Sequence, residues 1–374
     1  MKFNKKAYII FLYWERSQYL TRKSTGICLQ NRSASLNNLT LEDIAEQCGV
    51  SRSTVSRVIN NHPNVSKKAR MLVQEVINQT GYQPHAAARA LVSNRSWTVG
   101  LILPRSVNSF FTDPYYPSLI QGIAQACSSS DYTFTLFLMR EKEDEERIFH
   151  RISRRGFLDG ILLQSDNIGD SLIDKLILSD IPLTVLGRPF KSGNISFIDI
   201  NNVESVEKAV DYFIETEHKR IGTITGPLNT TVGIDRKQGY MNSLLKHGFT
   251  VDKDLIAEGT FTEESGYLGM LEILKAKPDA VFTASDQMAL GAMRAMSENG
   301  LRAPDDVAII GFDDFPLQMP AYPPLSTIRQ PIDEFGNEAL RMLIDIIENG
   351  TEPARRVILK TELILRGTTR KRIN

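Results

Sequence analysis

Cysteine is scarce: Cys28, Cys48 and Cys127 are the only three in 374 residues, widely spaced and outside any CxxC pair. That pattern excludes a disulfide scaffold and a thiolate zinc site, and it suits a reducing compartment, so the cytoplasm is the expected location. The five histidines, His62, His85, His150, His218 and His247, are scattered without metal-ligand spacing, and neither a metal nor a cofactor is expected. The phosphate loop GxxxxGK[ST], the GxSxG elbow, HExxH and a strand-following GxGxxG are all missing. The adjacent pair Asp313-Asp314 would be a candidate acid/base dyad, but consecutive residues at a strand end point to opposite sides. An enzyme is therefore not expected. The apolar stretch near the start, Ala7–Trp14, is eight residues long and runs straight into Glu15-Arg16. It is too short to cross a bilayer and lacks a small-residue cleavage site, which argues against a secretory leader. Residues 1–38 are read as a disordered extension, or as sequence outside the functional chain, with no chemistry assigned.

The net charge is zero, and this conceals an asymmetry. Residues 1–97 hold 14 Lys/Arg and 5 Asp/Glu, whereas the remainder holds 30 and 39. A basic head on an acidic body suits a nucleic-acid-binding end joined to a unit with another task. The head contains TLEDIAEQCGVSRSTVSRVINNHPNVSKKARMLVQEVINQTGYQP. Leu41, Ile44, Ala45 and Cys48 form the i, i+3, i+4, i+7 stripe of an amphipathic helix. Gly49 can take the left-handed conformation that ends it, and Ser51 is a good N-cap for a second helix. That second helix is expected to bury Val55, Val58 and Ile59 and to expose Arg52, Ser53, Ser56, Arg57 and Asn60. Ser66 caps a third helix with the stripe Ala69, Leu72, Val73, Val76 and Ile77. Helix, tight turn, then a helix with an Arg/Ser/Asn face is the layout of a helix-turn-helix entering a major groove. His85–Ser93 forms a short alanine-rich helix, too short to be stable alone in water.

From Trp97 onward, short apolar strands alternate with helical patterns. Strands are expected at Val99–Leu103, Phe134–Met139, Gly160–Gln164, Leu183–Leu186, Arg220–Thr225, Ala280–Thr283 and Val307–Gly311. Helices are expected between most of them, for example Tyr116–Ser128, Glu143–Arg154, Val203–Thr216 and Gln287–Asn299. Such alternation implies an α/β body of parallel sheets covered on both faces, with ligands at the carboxyl ends of the strands. Polar residues cluster at those ends: Gln164-Ser165, Arg188, Ser285-Asp286 and Asp313-Asp314. Carboxylates after strands are also common helix caps, so each alone admits a structural role.

The words TLEDIA, GVSRSTVSRVIN, VSKKAR, GYQP and ARAL together resemble the headpiece of the lactose/galactose repressor (LacI/GalR) family. GPLNTTVGIDRKQGY, TASDQMALGAMRAM, VAIIGFDD and PPLSTIRQP resemble its effector domain, which is built like a periplasmic sugar-binding protein with two α/β lobes. The resemblance runs from about Leu39 to about Thr369. It implies a sequence-specific DNA-binding transcriptional regulator, expected to be a repressor, controlled by a small ligand between the lobes. A sugar or sugar derivative is the expected ligand, though some members take nucleosides or purines. It also implies a homodimer on double-stranded operator DNA. The chain stops at Asn374 without the heptad segment that makes one member a tetramer.

The resemblance assigns roles residue by residue. Arg52 and Ser53 would reach base edges, while Ser51, Ser56 and Asn60 would make phosphate or mixed contacts. Arg57 would meet base or phosphate, and Asn64 and Arg89 would lie near the backbone. Leu91 would wedge into a minor-groove step and kink the duplex. In the body, Arg236 and Asp313 match positions that hold ligand hydroxyls or carboxylate. Phe261 matches an aromatic that packs on the ligand face, and Tyr115 and Tyr116 are candidates on the other lobe. Gln164 and Arg188 fall at variable contact positions. Ser285 and Asp286 match a polar pair at the cleft, with Asp286 open to a structural role. The implied segments are a helix-turn-helix domain at 39–84 and a hinge helix and linker at 85–97. An N-terminal lobe at 98–197 plus 328–351 and a C-terminal lobe at 198–327 plus 352–374 would follow. The alternative is an exported sugar-binding receptor of a transporter, which shares the two lobes but has no use for residues 40–95.

Overall fold

The computed structural model describes residues 39–59, 62–82, 95–103, 110, 113–139, 142–165, 167–169, 171–190, 193–315 and 321–369. They fall into two units that divide at Pro84.

Among the described residues the first unit has three helices, α1 (Leu41–Cys48), α2 (Arg52–Ile59) and α3 (Lys67–Thr80). Thr40 starts α1 with a capping box: its hydroxyl accepts from the Asp43 N–H at 3.3 Å and its own N–H donates to Asp43 Oδ2 at 2.7 Å. Gly49 ends α1 at φ +60°, and Ser51 Oγ accepts from the Thr54 N–H at 3.2 Å to open α2. Ser66 Oγ accepts from the Ala69 N–H to open α3. Ile44, Ala45, Cys48, Val55, Val58, Val73 and Tyr82 form the core. Two expectations need correction. Leu72 is exposed rather than on the apolar stripe, and Ile59 is half-buried. A unit this small can cover only a narrow strip of a fourteen-residue helix, and Val73 with half-buried Val76 and Ile77 takes it.

The second unit carries two six-stranded sheets. The elements run β1 (Thr98–Leu103), α4 (Tyr115–Ser128), β2 (Thr133–Leu138), α5 (Lys142–Ile152), β3 (Gly160–Gln164), α6 (Ser171–Ile177), β4 (Leu183–Leu186) and β5 (Phe197–Ile200). The chain then crosses into α7 (Asn202–Glu215), β6 (Ile221–Thr225), α8 (Thr231–Lys246), β7 (Ile256–Glu258), α9 (Glu263–Ile273), β8 (Ala280–Thr283), α10 (Asp286–Glu298), β9 (Ala308–Asp313) and β10 (Ser326–Arg329). It returns through α11 (Ile332–Asn349) and β11 (Arg356–Leu359), then crosses a third time into β12 (Glu362–Ile364). The first sheet has the order β11-β5-β4-β3-β1-β2, all parallel. The second has the order β12-β10-β9-β8-β6-β7, with only β12 antiparallel.

All seven expected strands are present, β3, β4 and β8 with the expected ends and the other four with ends shifted by one or two residues. Five more, β5, β7, β10, β11 and β12, lack the continuous apolar run that marks a doubly covered strand. In β10 the side chains of Ser326 and Thr327 are fully buried because each has a partner: Thr369 Oγ1 for the first, Asp286 Oδ1 for the second. The lobe partition read from the sequence is corrected at three places, one of them the boundary at 327/328, which would cut through β10 of the second sheet. Residues 352–374 do not all join the second lobe, since β11 pairs with β5 in the first sheet and protects what would be its open edge. A boundary at 197/198 would also cut through β5, which lies wholly in the first sheet.

Reciprocal glycines let helices touch backbone to backbone. A Cβ at Gly291 of α10 would sit 1.9 Å from the Glu263 carbonyl oxygen of α9, and one at Gly266 would sit 2.1 Å from that of Met288. Gly122 of α4 and Gly336 of α11 repeat the device in the first lobe. Gly291→Ala should therefore lose about 1–3 kcal/mol of stability through overpacking. A urea midpoint equal to that of the wild type would show that α9 and α10 separate freely.

Candidate ligand cleft and nucleic-acid face

Between the lobes lies a cleft with about 740 Å³ of empty space, part of it open to solvent. Its walls are the carboxyl ends of the strands and the helix starts that follow them, where an open parallel sheet binds ligands. The first lobe contributes Asp113, Tyr115 and Tyr116 at the start of α4, Gln164 at the end of β3, and Asp199 in β5. The second contributes Asn202, Arg236, Phe261, Ser285, Gln287 and Asp313, while Gln330 and Phe335 come from the second crossover and α11.

Arg236, on α8, is the electrostatic centre. It is 5 % exposed, and its guanidinium carbon lies 3.5 Å from the centre of the Phe312 ring and 6.0 Å from that of Phe261. Its Nε donates to Asn202 Oδ1 at 2.9 Å and Nη1 to the Ala284 carbonyl at 2.6 Å, with Asp313 Oδ1 at 3.9 Å. Burial pulls its pKa down, opposed by the charges of Asp313 and Asp199. The planar fork keeps donors in fixed directions that an ammonium would not.

Asp313 ends β9 at φ +124° and accepts from Gln330 Nε2 at 2.6 Å. Burial pushes its carboxyl well above the usual range, with the charge of Arg236 opposing. Asp314, at φ +62°, turns the other way onto Arg329 and Arg366, so the two neighbours do not form a dyad. Phe261 is also left-handed, at φ +62°. Such conformations cost on the order of 1–3 kcal/mol each and concentrate at sites that need a particular aim. Asp199 accepts from the Ile200 N–H at 2.8 Å, the Arg188 N–H at 3.1 Å and Asn202 Nδ2 at 3.4 Å. Burial raises its pKa to about 7. Gln164 Oε1 is buried with no hydrogen-bond partner, a cost unless something in the cleft donates to it.

Seven sequence-derived candidates thus meet in one cavity: Tyr115, Tyr116, Gln164, Arg236, Phe261, Ser285 and Asp313. Two do not. Asp286 is buried away from it, accepting from Thr327 Oγ1 at 2.6 Å and the Asp314 N–H at 2.8 Å, and so ties β9 to β10. The Arg188 guanidinium is drawn off by a bidentate pair with Asp235, at 3.0 and 2.7 Å. Asp113, Asp199, Asn202, Gln287 and Gln330 were missed. Asp199 and Asn202 flank the end of an unrecognised strand, and Gln330 sits inside the word PPLSTIRQP.

In the first unit, Arg52, Ser53 and Arg57 are exposed on α2 and Ser56 is half-buried. Arg52 Nε pairs with Glu42 of α1 at 2.9 Å, and Ser51 Oγ bonds the hydroxyls of Ser53 and Thr54. Asn64 is exposed before α3. Asn60, Arg89 and Leu91 lie outside the described residues.

Residues 40–85 match the family of bacterial regulatory proteins, lacI family, and residues 210–369 match a periplasmic binding protein-like domain. The HTH-type transcriptional regulator CelR of Thermobifida fusca is 38 % identical over 331 residues, covering 87 % of this chain and 97 % of that protein. The chain belongs to the LacI family. It is a DNA-binding transcriptional regulator. Catabolite control protein A of Priestia megaterium, another relative, is 31 % identical over 338 residues, covering 89 % of this chain and all of its own length. A solved CelR–cellobiose complex superposes with a TM-score of 0.71 at 36 % identity, covering 88 % and 99 % of the two chains. The lac repressor dimer bound to operator shares the fold at TM-score 0.77 with 24 % identity, over 88 % of this chain and 99 % of its own. Among the described residues, no helix is long and apolar enough to cross a membrane.

The Asp199 carboxyl binds its proton more tightly in the folded chain, about 7, than at its ordinary 3.8. Its contribution to stability is full below about pH 4 and declines as pH rises toward 7. The melting temperature of Asp199→Asn relative to wild type should therefore climb between pH 5 and 8, as other groups cancel in the comparison. A pH-independent offset in paired thermal scans would refute the assignment.

Proposed function

We propose that this LacI-family chain represses transcription in the cytoplasm as a homodimer on a pseudo-palindromic operator, and that an uncharged saccharide in the interlobe cleft sets its operator affinity. The observation that carries the ligand reading is the wall chemistry around Arg236. Tyr115, Tyr116, Phe261 and Phe335 offer faces for the C–H surface of a pyranose. Asp313 and Asp199 accept hydroxyl hydrogens, Arg236 donates, and the buried Gln164 Oε1 gains the donor it lacks. Among the described residues, one guanidinium, Arg236, faces the three carboxyls Asp113, Asp199 and Asp313, and the same burial that raises the pKa of Asp199 and Asp313 penalises a further buried anion, which disfavours a uronate or a sugar phosphate. The cellobiose held by the related CelR is of this neutral class.

The DNA-facing set is Ser51, Arg52, Ser53, Ser56, Arg57, Asn60 and Asn64, extended by Arg89 and Leu91 in a hinge at 85–97. A C2 dimer would present two such sets to the two half-sites. The folded three-helix unit supports this reading over an exported receptor, which would have no use for it. Effector and operator binding are then reciprocally coupled.

Sequencing of genomic fragments retained by the purified chain, with and without a panel of neutral and acidic saccharides, tests the proposal. One palindromic motif whose retention changes with a neutral saccharide is expected; no enrichment over random fragments would overturn it. On that motif, Arg52→Ala should lose ~1–3 kcal/mol of affinity, as a lost base contact does. Asp313→Asn should leave operator affinity intact and weaken the panel's active saccharide about tenfold, as when one partner of a buried hydrogen bond is removed. Isothermal titration and gel shift separate the two effects.

A further inference from the structure

Three covalent crossovers join the lobes, and the first and third are tied together where Ser205 Oγ meets Thr361 Oγ1 at 2.6 Å. A different set of contacts holds the lobes together without any covalent link. The loops after β3 and β4 of the first lobe reach the start of α8 in the second. The Ile168 N–H donates to the Asn229 carbonyl at 2.9 Å within a bridge between Asn167 and Thr230. Thr231 Oγ1 donates to the Arg188 carbonyl at 2.9 Å. The Arg188 guanidinium then forks onto the Asp235 carboxylate, Nε to Oδ2 at 3.0 Å and Nη2 to Oδ1 at 2.7 Å.

From this geometry we infer that Arg188 and Asp235 form a clasp that sets the population of closed lobes, acting outside the ligand cavity. Each bond joins an element of one sheet to an element of the other, so each exists only while the lobes are together. An interaction made in one state and not the other shifts the equilibrium by its whole differential free energy. The planar fork makes the pair directional, and the remaining exposure of Arg188, 41 %, leaves it open to screening by salt. The same residue positions the cavity wall, since its N–H holds Asp199 Oδ2. Asp235 also immediately precedes Arg236 on α8, so the clasp fixes the turn of helix that delivers the central guanidinium. A ligand enclosed by closed lobes binds in proportion to the closed fraction. That consequence rests on the ligand reading above; the clasp does not.

Hydrogen exchange on the full-length chain without added ligand tests it. Arg188→Gln and Asp235→Asn should each speed exchange severalfold in peptides spanning 165–172 and 228–236. Peptides from β8 and β9 serve as the internal control for folding and should not change. Arg188→Lys, which keeps the charge but loses the fork, should fall between. The double charge reversal Arg188→Asp with Asp235→Arg should recover protection lost in the singles, and 0.5 M NaCl should shift wild type toward the single variants. Unchanged exchange in both single variants would overturn the clasp and leave an ordinary surface ion pair. Loss of protection extending into β8 and β9 would overturn it as well, by showing a structural role for the whole lobe.

Discussion

A guanidinium taken almost wholly out of water is an expensive thing for a fold to keep, and Arg236 governs how the rest of this body is built. Desolvation of a full charge costs several kcal/mol unless partners replace the lost water. Here the partners come from everywhere: a ring beneath it from β9, a side-chain amide from α7, a backbone carbonyl after β8, and carboxylates from both lobes. No single lobe supplies the whole set, since Asp199 stands in the first sheet and Asp313 in the second. The charge therefore belongs to the interface between lobes and makes that interface sensitive to how closely they approach.

Strain is placed where this balance needs aiming. Asp313, Asp314 and Phe261 all carry positive φ without being glycine, and all lie at or beside the cleft. Asp314 is anchored by Arg329 and Arg366, which fixes the turn that sends Asp313 inward. Asp286 supports the same corner from behind. The close glycine contacts between α9 and α10, and between α4 and α11, make each lobe a stiff body. Stiff lobes on three crossovers convert a small change at the cleft into a relative rotation rather than local give.

The family assignment fits this economy. A regulator needs a sensor whose two states differ little in free energy, and a cleft whose buried guanidinium is offset by partners from both lobes, beside a partly exposed Arg188–Asp235 ion pair, suits that need. The acidic body and the basic head divide the labour already visible in the charge distribution. The residues proposed to meet the operator, exposed Arg52, Ser53 and Arg57 of α2, stand on a small core of their own.

What the chain declared by itself was whatever local chemistry decides. The 3.6-residue stripe through Ile44, Ala45 and Cys48, the turn at Gly49 and the caps at Ser51 and Ser66 each need only a few neighbouring residues. Seven strands were equally plain because burial on both faces demands unbroken apolar runs. Family words located Arg236, Asp313 and Phe261. Tertiary structure decided the remainder: that β5 and β11 share an edge, that Asp199 and Gln330 face the cavity, that Asp286 serves the scaffold, and that Arg188 turns to Asp235. Each is a pairing between residues far apart in the chain, and neither periodicity nor spacing records which distant group will neutralise a charge or complete a sheet.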